Sequence, residues 1–145
     1  MGKTIAFLAA GTAALALSGC ETVAEATQPT FHADLTGAAE VPGPGDPDGR
    51  GSAEVHIADP LDRVCYEINV NNLIDVTAAH IHRGAAGVAG PPVITLQAPT
   101  DGHSEACEDI DGSLADEIEA NPGAFYVNVH TREHPDGAVR GQLRH

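Results

Sequence analysis

The chain has 145 residues, with 21 acidic against seven basic side chains, a net charge of −14 and no tryptophan. A length of this order bounds the fold to one domain, and the acidic excess disfavours nucleic acid and anionic surfaces as partners. Three phenylalanines and two tyrosines limit the apolar core, so a domain of this size benefits from other fastenings.

The first residues read as an export signal. Lys3 precedes the apolar run IAFLAAGTAALAL, too short for a comfortable membrane span, and Leu17-Ser18-Gly19-Cys20 follows. This order predicts a signal peptide over residues 1–19. The Leu-Ser-Gly-Cys ending resembles a bacterial lipobox. That implies cleavage before Cys20, lipid on its sulfur, and anchoring to the outside of the cell membrane. Residues 20–30 have no apolar period and read as a flexible tether, leaving the folded domain over 31–145. Removal of the signal takes away the only lysine and leaves six arginines against all 21 acids. A salty habitat and a GC-rich genome both account for that bias.

From Phe31 onward the chain alternates in the manner of short strands. Phe31, Ala33 and Leu35 oppose His32 and Asp34, and Ala53, Val55 and Ile57 oppose Glu54 and His56. The Gly, Pro and Asp of residues 41–51 between these runs are turn chemistry, and ADPLD is a second tight turn. Val64, Tyr66, Ile68 and Val70 then share a face against Cys65, Glu67 and Asn69. AAHIH is a short strand ending in the glycine turn GAAGVAGPP, and PVITLQA is another strand. In AFYVNVHT, Phe125, Val127 and Val129 oppose Tyr126, Asn128 and His130. Pro135-Asp136-Gly137 turns the chain into AVRGQL. Repeated short strands with such turns predict an all-β sandwich or barrel.

One segment is helical. Ser113 is followed three residues later by Asp116, a capping pattern; Leu114 and Ile118 share a face, and Asn121-Pro122-Gly123 ends the helix. Its acids, with Glu105, Glu108, Asp109 and Asp111, fit no EF-hand spacing and read as a solvated face. With Cys20 lipidated, Cys65 and Cys107 remain, and in an oxidising compartment they read as one disulfide. Cys65 falls on a polar strand face, and a cross-link to the loop SEACED is expected there. It contributes on the order of 3–4 kcal/mol in the chain-entropy model.

The histidines raise the functional question. Strand geometry puts His80 and His82 on one face, about 6–7 Å apart, with Ile81 on the other. A third imidazole could come from His130, with His134 or Glu133 near it. Three nitrogens with an open position suit zinc or copper. The same residues lie beside turns, where an imidazole can instead hydrogen-bond a loop carbonyl and clamp it. His32 and His56 point outward and are expected to be solvated, and His103 has no partner at ligand spacing. Arg140 points away from Val139 and Leu143 and could fork onto Asp75 or Glu40, either as a salt bridge closing the sheet or in binding an anion or partner. Gly84, Gly87 and Gly90 are turn glycines, since no Lys or Ser/Thr follows and no helix opens. No Gly-x-Ser-x-Gly elbow appears, so no catalytic residue is assigned and enzymatic activity is not expected.

FHADLTGAAEVPGPGDPDGRGSAEVHI, CYEINVNNL, AAHIHRGAAGVAGPPVITL and NPGAFYVNVHTREHPDGAVRGQL, in that order, resemble the CHRD domain. This module is repeated in chordin and found singly in many exported bacterial proteins. The resemblance runs from Phe31 to Leu143. It implies an antiparallel Greek-key β-sandwich or barrel, immunoglobulin-like or superoxide-dismutase-like, with the one short helix added. It brings no established enzymatic activity. The expected function is therefore a membrane-anchored, extracytoplasmic binding or structural module, and a third reading is a matrix or adhesion protein whose partner is another exported protein or a glycan. The alternative is a copper- or zinc-binding protein using His80, His82 and His130. Copper/zinc superoxide dismutases also take His-x-His from a β-sandwich, although their other metal-loop motifs are missing from this sequence.

Overall fold

The computed structural model describes residues 28–58 and 61–145. The expected signal peptide, the Cys20 lipidation site, most of the tether and residues 59–60 of the ADPLD turn lie outside them. Eight antiparallel strands form one sheet: β1 Thr30–Thr36, β2 Arg50–Ala58, β3 Arg63–Asn71, β4 Val76–Arg83, β5 Pro92–Leu96, β6 His103–Asp109, β7 Phe125–Thr131 and β8 Val139–Gln142. The spatial order is β5-β4-β7-β8-β1-β2-β3-β6. Pairs β3–β6, β4–β7 and β8–β1 join strands distant in sequence, the signature of Greek-key winding. The sheet curls until its two edges approach. Just past β5, the Gln97 amide donates to the Tyr66 hydroxyl on β3 at 2.6 Å, which makes the sheet a nearly closed barrel.

The interior follows the alternation. Phe31, Leu35, Val55, Ile57, Val64, Tyr66, Ile68, Ile81, Val127, Val129 and Val139 are all buried in one cluster. Each such side chain stabilises the fold by roughly 1.5–3 kcal/mol relative to exposure. Helix α1, Gly112–Ala120, adds Ala115 and Ile118 to that cluster. Its N-cap is Asp111, whose carboxylate accepts from the Ser113 amide at 2.9 Å, not Ser113 as the Ser113–Asp116 spacing suggested. An Asp two residues earlier satisfies the same orphan donors. Asn121 ends the helix as expected. Among the described residues, no helix is long and apolar enough to cross a membrane.

SEACED is a strand and not a loop. It forms most of β6, which pairs with β3 so that Cys107 lies directly opposite Cys65. A disulfide joins the two across a sequence separation of 42. Register also accounts for the face of β3 that carries Cys65: Val64, Tyr66, Ile68 and Val70 turn inward, while Cys65 and Glu67 do not.

The outer faces of the barrel differ. On β1, β2, β3 and β6 the outward side chains meet solvent. On β7 all seven residues are buried, so Tyr126, Asn128 and His130 do not form the wet face that alternation predicts. Loops from elsewhere in the chain cover them. These are the turn after β4, the segment around Glu40 after a 3-10 turn at Gly37–Ala39, and the Pro135 loop.

Candidate metal centre

His80 and His82 project outward from β4, and His130 projects outward from the neighbouring strand β7. β4 pairs with β7 so that Ala78 opposes His130, His80 opposes Asn128 and His82 opposes Tyr126. This register places His130 diagonally across from His80, within reach on one face. One donor atom from each of the three rings lies within 4.8 Å of the other two. His80 Nδ1 is 3.0 Å from His130 Nε2. Metal–nitrogen bonds of about 2.0–2.1 Å put tetrahedral donors about 3.3 Å apart, so small ring movements suffice.

Hydrogen bonds fix two of the rings. His82 Nδ1 lies 2.8 Å from the Gly90 carbonyl oxygen, and His130 Nδ1 lies 2.9 Å from that of Pro135. A carbonyl only accepts, so in both rings Nδ1 carries the proton and Nε2 keeps its lone pair. His82 Nε2 is buried with no partner. His130 Nε2 accepts from the His80 Nδ1–H. In His82 and His130 the two roles weighed for these histidines thus use different atoms: Nδ1 clamps a turn, while Nε2 keeps a lone pair, unpartnered in His82 and accepting from His80 in His130.

Burial holds all three imidazoles below the ordinary histidine range. For His80 the His130 and His82 rings push the same way. For His82 the Gly90 carbonyl opposes burial, while His130 and the Arg140 charge add to it. For His130 the Pro135 carbonyl and the Asp136 carboxylate pull back up. Neutral imidazole is the form that ligates metal.

Behind the rings lies a second polar layer. Tyr126 stacks on His82, with centroids 4.9 Å and planes 16° apart, and its hydroxyl accepts from the Gly90 amide at 3.2 Å. Arg140 is buried and lies over the Tyr126 ring, its guanidinium carbon 3.4 Å from the centroid. One Nη donates to the Ala85 carbonyl at 2.9 Å. Gln142 Nε2 donates to the Gly84, Gly123 and Phe125 carbonyls. The turn after β4 is therefore tied down from β4, β7 and β8 at once. Gly90 is needed there, because a Cβ would run into the Arg83 carbonyl, and Gly87 takes φ +78°, which favours glycine.

Arg140 does not make the predicted fork. Asp75 faces Arg132 instead, Nε to Oδ2 at 3.8 Å. Glu40 gives both carboxyl oxygens to Asn128 Nδ2, at 2.7 and 2.9 Å. The Arg140 charge still acts on Glu40, but burial outweighs it and raises the Glu40 carboxyl to about 7. Tyr126, Asn128 and Gln142 were not singled out in the sequence, and Glu40 was named only as a partner for Arg140. The available signal was an acid set among small residues in GAAEVPG.

Three other histidines on strands stay apart. His56 Nε2 is 2.9 Å from Glu54, His32 Nδ1 is 3.6 Å from the same carboxylate, and His103 Nδ1 is 3.1 Å from Asn69 Oδ1. All three are on the open side of the barrel.

No curated protein and no solved structure matches this chain. A family model does, over residues 31–143, from the first buried residue of β1 to the residue after the last strand, and it is that of the CHRD domain. With most of its length matched and the eight-stranded barrel in place, the chain belongs to the CHRD domain family.

Proposed function

We propose that this chain is an exported CHRD module, anchored by lipid on Cys20, that binds one copper or zinc ion on the outside of its barrel. The ligands are His80 Nδ1, His82 Nε2 and His130 Nε2, with a fourth position left to solvent or a partner. Family membership supports a binding or structural module. The observation that carries the metal reading is the pair of carbonyl contacts at Gly90 and Pro135. They hold two rings in the tautomer and orientation a ligand needs, as the outer shell of a metal site does. The proton on His80 Nδ1, now shared with His130, moves to Nε2 when a metal takes its place.

Elemental analysis and titration of the metal-free chain with zinc and cuprous or cupric copper test this. One ion per chain is expected, lost in His80→Ala and His82→Ala. A wild-type chain that takes up none and melts unchanged with metal overturns the reading. Anchoring is tested separately: Cys20→Ala should release the protein from the membrane fraction, and retention there would count against the lipid.

A further inference from the structure

β7 lies between β4 and β8, so Tyr126 stands with His82 on one side and Arg140 on the other. The three side chains form a stack of imidazole, phenol and guanidinium. Arg140 is 1 % exposed, and its second Nη has no hydrogen-bond partner. Among the described residues no carboxylate forms an ion pair with it, and Glu40 accepts from Asn128 with both oxygens. A full positive charge is therefore held out of water, one aromatic ring away from a metal ligand.

Building on the metal-binding reading above, we propose that Arg140, acting through Tyr126 and His82, makes this a copper site that holds the cuprous ion in preference to the cupric. The first argument is charge. A buried cation repels a doubly charged ion more than a singly charged one, and solvent screens a buried pair poorly. The second is coordination. Three neutral imidazoles satisfy cuprous copper, which accepts three donors. Cupric copper favours a tetragonal set of nitrogen and oxygen donors, and among the described residues no carboxylate or thiol joins the three rings. Zinc, doubly charged, meets the same repulsion as the cupric ion. Glu40 has the opposite sign: its carboxylate faces Arg140 and offsets part of that charge. Arg140 and Glu40 are positioning residues and touch no metal.

The test is the midpoint potential of the copper-loaded mature chain, measured spectroelectrochemically at pH 8 with the electrode supplying the single electron of the Cu(II)/Cu(I) couple. Glu40→Gln removes the negative charge and should raise the potential. Arg140→Met should lower it, equivalent to about a tenfold loss of the cuprous preference. Arg140→Lys keeps the charge and should stay near wild type. Potentials that do not move, or that move the same way in Glu40→Gln and Arg140→Met, overturn the role of Arg140. If Arg140→Met does not fold, Glu40→Gln decides alone, and an unchanged potential there is a refutation. A wild type that binds zinc but no copper overturns the cuprous preference, and one that binds neither metal overturns the metal-binding reading instead.

Discussion

The outer faces of β4–β7–β8 and of β1–β2–β3–β6 carry similar residues and treat them differently. Each has three histidines with carboxylates nearby. On the second face His32, His56 and His103 contact Glu54 or Asn69 in the open. On the first, loops cover the layer, and burial holds His80, His82 and His130 below the ordinary histidine range. Residue type does not separate the two faces; coverage does. The faces are also fastened differently. The open one carries a covalent tie, Cys65–Cys107 between β3 and β6. The covered one carries none and is held by side-chain hydrogen bonds to loop carbonyls.

The largest way to break this contrast is to cut the covalent tie. Cys65→Ser with Cys107→Ser should lower the unfolding free energy by about 3–4 kcal/mol, read by urea denaturation, while leaving the metal affinity unchanged. An affinity that fell with it would show that the two faces are not independent.

Next comes the buried carboxyl. The folded Glu40 value of about 7 lies above the ordinary 4.5, so the folded state binds its proton more tightly than the unfolded state. Its contribution is fully present below pH 4.5 and is lost as pH rises toward 7, by about 3 kcal/mol at 1.36 kcal/mol per pH unit. Glu40→Gln should flatten that loss in denaturation profiles taken across this window. The histidine trio has the opposite sign. Its folded values are lowered, so its contribution is present above pH 6.5 and falls away in acid. Ala variants at these positions should be less sensitive to acid than wild type.

A ligand change comes third. His82→Ala should weaken zinc or copper binding by more than 100-fold, beyond the 10–100-fold that outer-shell changes typically cost, measured by competition with a chromophoric chelator. The smallest effect sharpens the contrast from the other side. His56→Ala and His103→Ala should leave that affinity unchanged and shift stability by less than about 0.5 kcal/mol.

Much of the barrel was legible because inward residues alternate on β1, β2 and β3. The parity of His80 and His82 was legible for the same reason. β6 was not, because its inward positions hold small residues, Ser104 and Ala106, which carry no apolar signal. Burial of Tyr126, Asn128 and His130 was not legible either. Their covers come from Glu40, Gly90 and Pro135, and the Glu40 contact spans 88 residues. Period-2 alternation reports the two faces of a strand, not what a distant loop lays over one of them. Arg140 was assigned a carboxylate because charge invites one, and the structure gives it an aromatic ring and a carbonyl.

β8 has four residues and sits between β7 and β1. Backbone bonds between His32 and Arg144, at 2.8 and 3.0 Å, extend the join. Synthesis runs from the N-terminus, so β1 to β3 can pair early while the free edge of β1 waits for residues made more than a hundred positions later. Without residues 139–144, β5-β4-β7 and β1-β2-β3-β6 have no strand joining them, and the covered layer lacks Arg140 and Gln142. One four-residue strand thus supplies both the join between the part-sheets and two members of the polar layer.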